Sequence, residues 1–257
     1  MNKTKGVFLI ARNNSQVDYV KQAVFLAKRI RKYLDLPTTI LTDGVDYLKE
    51  NYDERVFDRI IPLDYSSEKN EKLYFDGALY QKLATFNNRH RCQVYDLTPY
   101  DETLLLDTDY IISNSMLASC FDSNDDFLIY KDSIDIAQVR NEQEFKYISD
   151  TGVPFYWATC VFFRKTEVNK IYFDLLQHIE EEWQHYRRVY QITSPLFRND
   201  FAFSIGIHIM NGFCRGSFAK QLPGKMMYTT DQDILWDLDE EKMTFLVDPT
   251  LRFFMSL

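Results

Sequence analysis

The stretch Thr103-Leu104-Leu105-Leu106-Asp107-Thr108-Asp109-Tyr110-Ile111-Ile112 is an apolar run that ends on two carboxylates and then resumes. A short Leu-rich run bounded by polar residues is typical of a strand that is buried on both faces, as in a parallel sheet covered by helices. Open sheets of that kind bind ligands beyond the carboxyl ends of their strands. The sequence therefore predicts a ligand site at Asp107 and Asp109.

The two carboxylates suit a divalent cation. If the segment stays extended, Asp107 and Asp109 point to the same face about 6.6 Å apart, at about 3.3 Å per residue. Carboxylate oxygens suit Mg²⁺ or Mn²⁺, and such a cation completes its shell with water and substrate phosphates. The implied ligand is a diphosphate. The same Asp-Thr-Asp is also compatible with a turn or a helix N-cap, because Asp and Thr satisfy free backbone N–H groups.

Strand-like and helix-like patterns alternate before this stretch. Continuous apolar character predicts strands over 6–11, 38–42 and 59–63, and apolar residues at helical spacing predict a helix over 17–34. A β-α-β-α-β opening implies a parallel sheet with right-handed crossovers. We therefore expect an α/β fold with a mostly parallel central sheet and helices on both faces.

Similar strand-like and helix-like patterns occur along the rest of the chain. They predict a helix over 78–86, an aromatic strand over 155–163, a helix over 168–183 and an apolar helix that begins at Asn199-Asp200. At 257 residues, with no Pro/Gly/Ser-rich linker, the chain is expected to form a single domain over 1–257.

Composition narrows the class of protein. With 46% hydrophobic residues the chain can build a sizeable core, and a mean hydropathy of -0.34 without any long uncharged apolar run predicts no transmembrane segment. The first five residues lead into a strand without a signal-peptide pattern, and the four cysteines form no CxxC pair. We therefore expect a cytoplasmic protein. A formal charge of -8 disfavours general attraction to nucleic acid.

The Asp107-Thr108-Asp109 segment resembles the DxD motif of GT-A fold glycosyltransferases, which use nucleotide sugars, and the predicted strand over 158–163 and helix at Asn199-Asp200 resemble further parts of that fold. The resemblance implies a GT-A-like domain with a Rossmann-like, nucleotide-sugar-binding half over 1–112. It implies an acceptor-side half with a C-terminal loop over 113–257. The implied activity is transfer of a monosaccharide from a nucleoside diphosphate sugar, with a UDP-sugar as the expected donor and Mn²⁺ or Mg²⁺ held by the two aspartates.

The resemblance assigns the nucleotide to the first strand ends. Ala11, Arg12 and Asn13 match the base pocket by position, and Asp43 at the second strand end would contact uracil or ribose. The helix predicted over 78–86 would supply Lys82 to a phosphate or to the ribose. A solvent-facing lysine at that position remains equally open.

Further positions carry expected contacts to the sugar and the diphosphate. Trp157, Ala158 and Thr159 lie on the strand that relatives place under the donor sugar, although aromatic residues in such a strand are more often core. Lys220 or Lys225 would neutralise the departing diphosphate, unless both only belong to an exposed loop that contains Pro223-Gly224.

The third metal ligand is open. Some DxD families of similar organisation take it from a His in a C-terminal His-x-x-Gly-x-x-Lys segment, whereas no His follows His208 in this chain. Asp231 or Asp233 would replace it, or the protein supplies only two ligands. The other histidines, including His90 in the basic Arg89-His90-Arg91, complete no catalytic signature, and no G-x-S-x-G elbow or Walker-type loop occurs.

Asp200 is the expected catalytic residue. Many relatives carry an acid at the head of the corresponding helix, aimed at the acceptor hydroxyl or the donor sugar. An inverting enzyme would use Asp200 as the base, whereas a retaining enzyme would use a front-face route or a nucleophile, and the sequence does not choose between them. An ordinary helix N-cap is the structural alternative for Asp200.

The acceptor is the least constrained part. A hydroxyl on a glycan, lipid or protein is the first expectation. A modified DNA base is the second, as in DNA glycosyltransferases of phage type, because the basic and aromatic segment 185–190 suits nucleic acid. An ordinary helix end explains that segment equally well. A sugar-phosphate nucleotidyltransferase is disfavoured because 11–14 lacks a Gly-rich loop, and an inactive nucleotide-sugar-binding or interaction module is the non-enzymatic alternative.

Overall fold

The computed structural model describes most of the chain. The described residues are 3–14, 17–63, 71–74, 82–85, 89–135, 145–228, 235–238, 242–248 and 251–256.

Six helices and sixteen strands occur in these ranges. The helices are α1 (Tyr19–Tyr33), α2 (Val45–Asn51), α3 (Val94–Leu97), α4 (Glu167–Glu181), α5 (Trp183–Val189) and α6 (Asn199–Met210). The strands are β1 (Lys5–Ala11), β2 (Thr38–Thr42), β3 (Arg59–Pro62), β4 (Glu71–Tyr74), β5 (Lys82–Thr85), β6 (Glu102–Leu106), β7 (Phe127–Tyr130), β8 (Ser133–Asp135), β9 (Tyr147–Ile148), β10 (Val153–Pro154), β11 (Trp157–Arg164), β12 (Lys220–Gln221), β13 (Met226–Tyr228), β14 (Leu235–Leu238), β15 (Lys242–Asp248) and β16 (Leu251–Ser256).

Seven strands form the central sheet, in the order β12-β7-β11-β6-β1-β2-β3. Strand β11 runs antiparallel to both β6 and β7, whereas the other neighbouring pairs run parallel. The prediction of an α/β fold with a mostly parallel central sheet is therefore confirmed. Strand β6, the apolar run before the two aspartates, lies between β1 and β11 with every residue buried.

Local chemistry explains why α1 begins at Tyr19. The side chain of Asp18 accepts a hydrogen bond from the Lys21 N–H, and the Asn13 side chain accepts one from the Val20 N–H. Two of the N–H groups that a helix leaves without partners are thus satisfied. The helix packs on β1 and β2, which fixes the loop between β1 and α1 at the carboxyl edge of the sheet.

The other edge of the sheet is tightly closed. A Cβ atom at Gly6 would lie 2.3 Å from the ring of Tyr100, so the strand approaches this ring more closely than any other residue allows. The hydroxyl of Tyr100 lies 2.8 Å from Thr39 Oγ1. This edge is built for packing rather than for a ligand.

Two predictions of secondary structure need correction. The helix predicted over 78–86 is wrong for 82–85, which form strand β5, and the remaining residues of that range lie outside the described part of the chain. Strand β5 pairs antiparallel with β4, a longer-range pairing that periodicity within one segment does not reveal. The helix predicted over 168–183 ends at Glu181, and α5 follows it. No helix among the described residues is long and apolar enough to cross a membrane.

Candidate functional site

The two predicted carboxylates lie where β6 ends. The Asp107 N–H donates to the Thr159 carbonyl at 2.9 Å, and the Tyr110 N–H donates to the Asp107 carbonyl at 3.1 Å. Residues 107–110 therefore form a turn, which is one of the alternatives that the sequence left open, and the extended geometry with both carboxylates on one face is not adopted. The last ladder pair between β6 and β11 is at Leu106; Asp107 is still bonded to β11 through its N–H, and the chain turns away from the sheet after it.

Thr108 holds this turn to the rest of the protein. It is 6% exposed, and its Oγ1 donates to Gln22 Oε1 of α1 at 3.1 Å. Asp107 keeps about a third of its side chain accessible (33%), and Asp109 is exposed. The middle residue of the motif is thus a structural anchor that leaves the two carboxylates facing solvent.

A buried arginine supports Asp107. Arg91 is 1% exposed; its Nη1 donates to Asp107 Oδ1 and its Nη2 donates to the Thr159 carbonyl at 3.3 Å. Its Nε has no hydrogen-bond partner in the described part of the structure. Sequence reasoning missed Arg91, since nothing in Arg89-His90-Arg91 marks the third residue as the buried one.

The electrostatics of the turn reflect a concentration of negative charge. Burial raises the pKa of Asp107 to about 7; Arg91 opposes this rise, while the charges of Asp109 and Asp200 add to it. Burial also raises the pKa of Asp109. Both side chains are accessible to solvent although the surrounding protein desolvates them, which is the situation of groups on the floor of a cleft. A cation at this position would relieve the repulsion.

Asp200 lies in the first turn of α6 and faces the same region. Its Oδ1 accepts a hydrogen bond from the Ala158 N–H at 2.9 Å, and its Oδ2 accepts one from Arg198 Nη2 at 3.2 Å. The side chain is 16% exposed. The carboxylate is not the N-cap of α6, because that position belongs to Arg198. It links α6 to β11 instead.

A second polar cluster lies at the neighbouring strand ends. Arg12 Nε donates to Asp43 Oδ2 at 2.9 Å, and both side chains are mostly buried. His90 lies close enough for the charges of both to act on it; burial first, and then Arg12, lowers the pKa of His90. Arg12 Nη1 and His90 Nδ1 are buried without hydrogen-bond partners in the described residues. His90 was given no role by the sequence.

Ala11 and Asn13 occupy the expected loop with different surroundings. Ala11 is buried at the end of β1, whereas Asn13 is exposed. The amide of Asn13 donates to Asp18 Oδ1 at 2.9 Å, while its oxygen accepts from the Val20 N–H. Both ends of this side chain thus serve the start of α1, and a contact to the base stays a prediction.

The aromatic strand meets the site through its backbone. Trp157 is 7% exposed and Ala158 is 1% exposed, while the Thr159 carbonyl accepts hydrogen bonds from both Asp107 and Arg91. The Trp157 ring packs against Tyr228, with ring centroids 4.9 Å apart, and its Nε1 is buried without a partner among the described residues. Contacts of these three residues to a sugar stay predictions.

The structure describes some of the remaining candidate residues and leaves others outside the described ranges. Lys225 is exposed and follows Gly224, whose φ is +76°. The backbone of Lys82 lies in β5, so that its expected place on a helix is wrong, and its side chain is outside what the structure describes. Asp231 and Asp233 also lie outside the described residues. Within the described ranges no three His, Cys, Asp or Glu side chains converge on a point that could hold a metal ion.

In the basic segment 185–190, Arg187 makes hydrogen bonds to nearby residues of the chain. Arg187 donates from Nη2 to the Thr193 carbonyl at 2.9 Å and from Nη1 to Gln184 Oε1 at 3.1 Å. Arg188 is exposed. An ordinary helix end explains Arg187, and contact of this segment with DNA stays a prediction.

Among known proteins, solved structures are similar to this chain in fold. No protein-family model and no curated protein matches the sequence. A solved structure of an active-site mutant of LgtC is similar with a TM-score of 0.53 at 12% identity, over 84% of this chain and 72% of that chain. The structure of the galactosyltransferase LgtC in complex with donor and acceptor sugar analogs gives a TM-score of 0.49 at 15% identity, over 84% and 72% of the two chains.

The glycosyltransferase GlyE of Streptococcus pneumoniae TIGR4 is similar at 12% identity with a TM-score of 0.46, over 86% of this chain. The chain spans 46% of the length of GlyE. At such identities the likeness to LgtC concerns the fold alone.

Proposed function

We propose that this chain is a metal-dependent glycosyltransferase that moves a monosaccharide from a nucleoside diphosphate sugar to a hydroxyl group of a glycan, lipid or protein. The observation that carries the proposal is the arrangement at the end of β6. Two solvent-facing carboxylates, Asp107 and Asp109, lie above the buried Arg91 and within electrostatic range of Asp200. This arrangement occupies the carboxyl edge of the sheet, where folds of this class bind nucleotides.

The cluster of Arg12, Asp43 and His90 supports a uridine donor. Buried polar atoms without partners are costly, so that Arg12 Nη1 and His90 Nδ1 are well explained by a ligand that supplies acceptors. The edge of uracil presents two carbonyl oxygens on either side of one N–H. An arginine, a carboxylate and an imidazole N–H together offer the complementary donors and acceptor. We therefore favour a UDP-sugar over other donors.

Asp107 and Asp109 fit a Mn²⁺ or Mg²⁺ ion. The donor set is hard oxygen. Burial first, and then the charges of Asp109 and Asp200, raise the pKa of Asp107, so that positive charge at this position would stabilise the protein. Two protein ligands suffice, because such ions keep several waters and bind substrate phosphates. When bound, the cation would stabilise negative charge on the departing diphosphate.

The residues of the chain have separable tasks in this proposal. Arg91 holds the Asp107 carboxylate in one orientation through a buried ion pair. Thr108 fixes the turn to α1, so that the two carboxylates cannot swing away together. Lys225, exposed beside Gly224, contributes positive charge to the diphosphate.

Asp200 is proposed as the general base that accepts the proton of the acceptor hydroxyl. Hydrogen bonds from the Ala158 N–H and Arg198 hold its carboxylate in a fixed orientation, and its charge reaches Asp107. A general base must reach its proton directly or through one water, so that a carboxylate held in a fixed orientation would serve an inverting reaction in which the acceptor hydroxyl approaches it.

The proposal is tested first by thermal unfolding against a panel of nucleoside diphosphates and nucleotide sugars, with and without Mn²⁺. A ligand that binds only the folded state raises the melting temperature, and at 100 times its Kd it adds about 2.7 kcal/mol of stability. We expect a Mn²⁺-dependent rise with a uridine nucleotide.

The variants Asp109→Asn and Asp122→Asn form a matched pair for this test, since Asp122 is an exposed acid at the end of the short helix Met116–Asp122 and belongs to no proposed site. Asp109→Asn should abolish the rise and Asp122→Asn should keep it. No rise with any nucleotide, or an equal rise without metal, would contradict the proposal.

A further inference from the structure

Two buried tyrosine hydroxyls join the acidic turn to the loop that carries Lys225. Tyr110 directly follows Asp109, and its hydroxyl donates to the Tyr130 hydroxyl at 3.3 Å. The Tyr130 hydroxyl in turn donates to the Pro223 carbonyl at 3.1 Å. Tyr130 is 1% exposed, and burial raises the pKa of its phenol, which keeps it protonated as a donor.

The loop around Pro223 is held tightly on the sheet side. Its preceding residues follow β7, since the Leu222 N–H donates to the Ile129 carbonyl at 3.4 Å and Gln221 Oε1 accepts from the Lys131 N–H at 3.0 Å. Gly224 has a φ of +76°, and a Cβ atom there would lie 2.6 Å from Met116 Cε. The turn at 223–225 therefore has one defined shape, in which the Pro223 carbonyl faces Tyr130.

The chain after Lys225 is anchored to the other side of the site. Met226 is 4% exposed, and the Tyr228 ring packs on Trp157. Trp157 precedes Ala158, whose N–H donates to Asp200. Lys225 itself is exposed between these two anchors. The Pro223 carbonyl is linked through Tyr130 and Tyr110 to the turn that contains Asp109. Tyr228 is linked through Trp157 and Ala158 to Asp200.

We infer that Tyr130 is a positioning residue for Lys225: its hydroxyl, oriented by Tyr110, fixes the turn 223–225 and holds the Lys225 ammonium on the side of the acidic turn. The position of the loop follows from the hydrogen bonds alone, whereas the diphosphate as the ligand of Lys225 rests on the proposed function. Tyr130 would touch neither substrate nor metal, and it acts only through the Pro223 carbonyl.

The position of the loop is tested by limited digestion with trypsin, because Lys225 is an exposed cleavage site. Cleavage at Arg215, in an exposed loop ten residues earlier, serves as the internal reference. In Tyr130→Phe we expect cleavage after Lys225 to rise several-fold relative to cleavage after Arg215. The matched control is Tyr95→Phe, which also removes a hydroxyl that donates to a backbone carbonyl, that of Thr166 at 3.0 Å. An unchanged ratio in Tyr130→Phe would overturn the inference.

Tyr110→Phe keeps the test decisive if Tyr130→Phe does not fold, which equal acceleration at Lys225 and Arg215 would reveal. This second variant leaves the bond from Tyr130 to Pro223 in place and removes only the group that orients the Tyr130 hydroxyl. A smaller rise at Lys225 alone supports the inference. No rise at Lys225 overturns it.

The kinetic consequence is tested separately. Tyr130→Phe should raise the KM for the donor about fivefold, roughly the effect of one lost hydrogen bond, with kcat nearly unchanged. In a Lys225→Ala background the same change should add nothing further, since the residue acts through Lys225. Additive effects would overturn the role assigned to Tyr130. If the wild-type protein binds no nucleotide at all, the proposed function fails, while the digestion still decides whether Tyr130 positions the loop.

Discussion

Strand β6 carries an arginine–carboxylate pair at each end. Each pair has one buried atom without a hydrogen-bond partner among the described residues, Glu102 Oε2 in one and Arg91 Nε in the other, and the two pairs differ in how far the carboxylate is exposed. At the amino end, Arg164 Nε donates to Glu102 Oε1 at 2.9 Å, and its other nitrogens donate to the carbonyls of Asp125 and Ser123. Both side chains of that pair are less than a tenth exposed. At the carboxyl end, Arg91 is buried equally well, but its Nε has no partner among the described residues and Asp107 remains a third exposed.

The difference separates a structural ion pair from a site. A buried charge is tolerated when its hydrogen bonds are complete, as they nearly are for Arg164. What distinguishes the carboxyl end is a partly exposed carboxylate beside the like charges of Asp109 and Asp200, and proteins usually retain such a cost to stability where it serves function. The same strand thus uses one residue pair to close the sheet and another to present a carboxylate.

The largest expected loss of stability follows from a substitution in the amino-end pair, Arg164 and Glu102. Arg164→Met leaves Glu102 buried with only Lys5 Nζ at 3.8 Å, so that we expect a loss of about 3 to 5 kcal/mol of unfolding free energy. Urea denaturation measures it. A loss below 1 kcal/mol would mean that this pair is not the structural member of the comparison.

Asp200→Asn should reduce sugar transfer about 100-fold, the lower range for a lost general base, with little change in donor affinity. The amide oxygen can still accept the hydrogen bond from the Ala158 N–H, so that the link between α6 and β11 is preserved. Transfer rates at saturating donor, together with the Kd for the donor, measure the two effects. Wild-type transfer would reduce Asp200 to a structural link.

Arg91→Met should lower the unfolding free energy by only about 1 kcal/mol, much less than Arg164→Met, because solvent can stabilise the released Asp107 carboxylate. Donor affinity should fall at the same time. The two methionine variants compared in one denaturation series make the contrast direct. Equal losses of stability would show that the two ends of β6 are energetically alike.

The sequence predicts those parts of the site that local patterns determine. Asp107 and Asp109 could be predicted because an apolar run indicates a buried strand, and the polar residues after such a strand lie at the edge of the sheet. Asp43 could be found in the same way at the end of β2. The parallel pairing of β1, β2 and β3 follows from the alternation of strands and helices at the start of the chain.

Long-range packing decides the parts that the sequence did not predict. Arg91 matters because it is buried below the turn, and Arg89-His90-Arg91 contains no signal for which residue is buried. The turn at 107–110 depends on where β11 stops pairing with β6, and the strand at 82–85 depends on its pairing with β4. The bond between Tyr130 and Pro223 joins residues 93 positions apart.

The most direct test of the account is calorimetric titration of the wild-type protein and of Asp109→Asn with UDP, each in Mn²⁺ and in a chelator. The account predicts binding by the wild-type protein in Mn²⁺, at least 100-fold weaker binding in chelator, and a matching loss in Asp109→Asn. Binding that is equally tight in chelator, or that survives in Asp109→Asn, would contradict a metal-bound nucleotide at the end of β6.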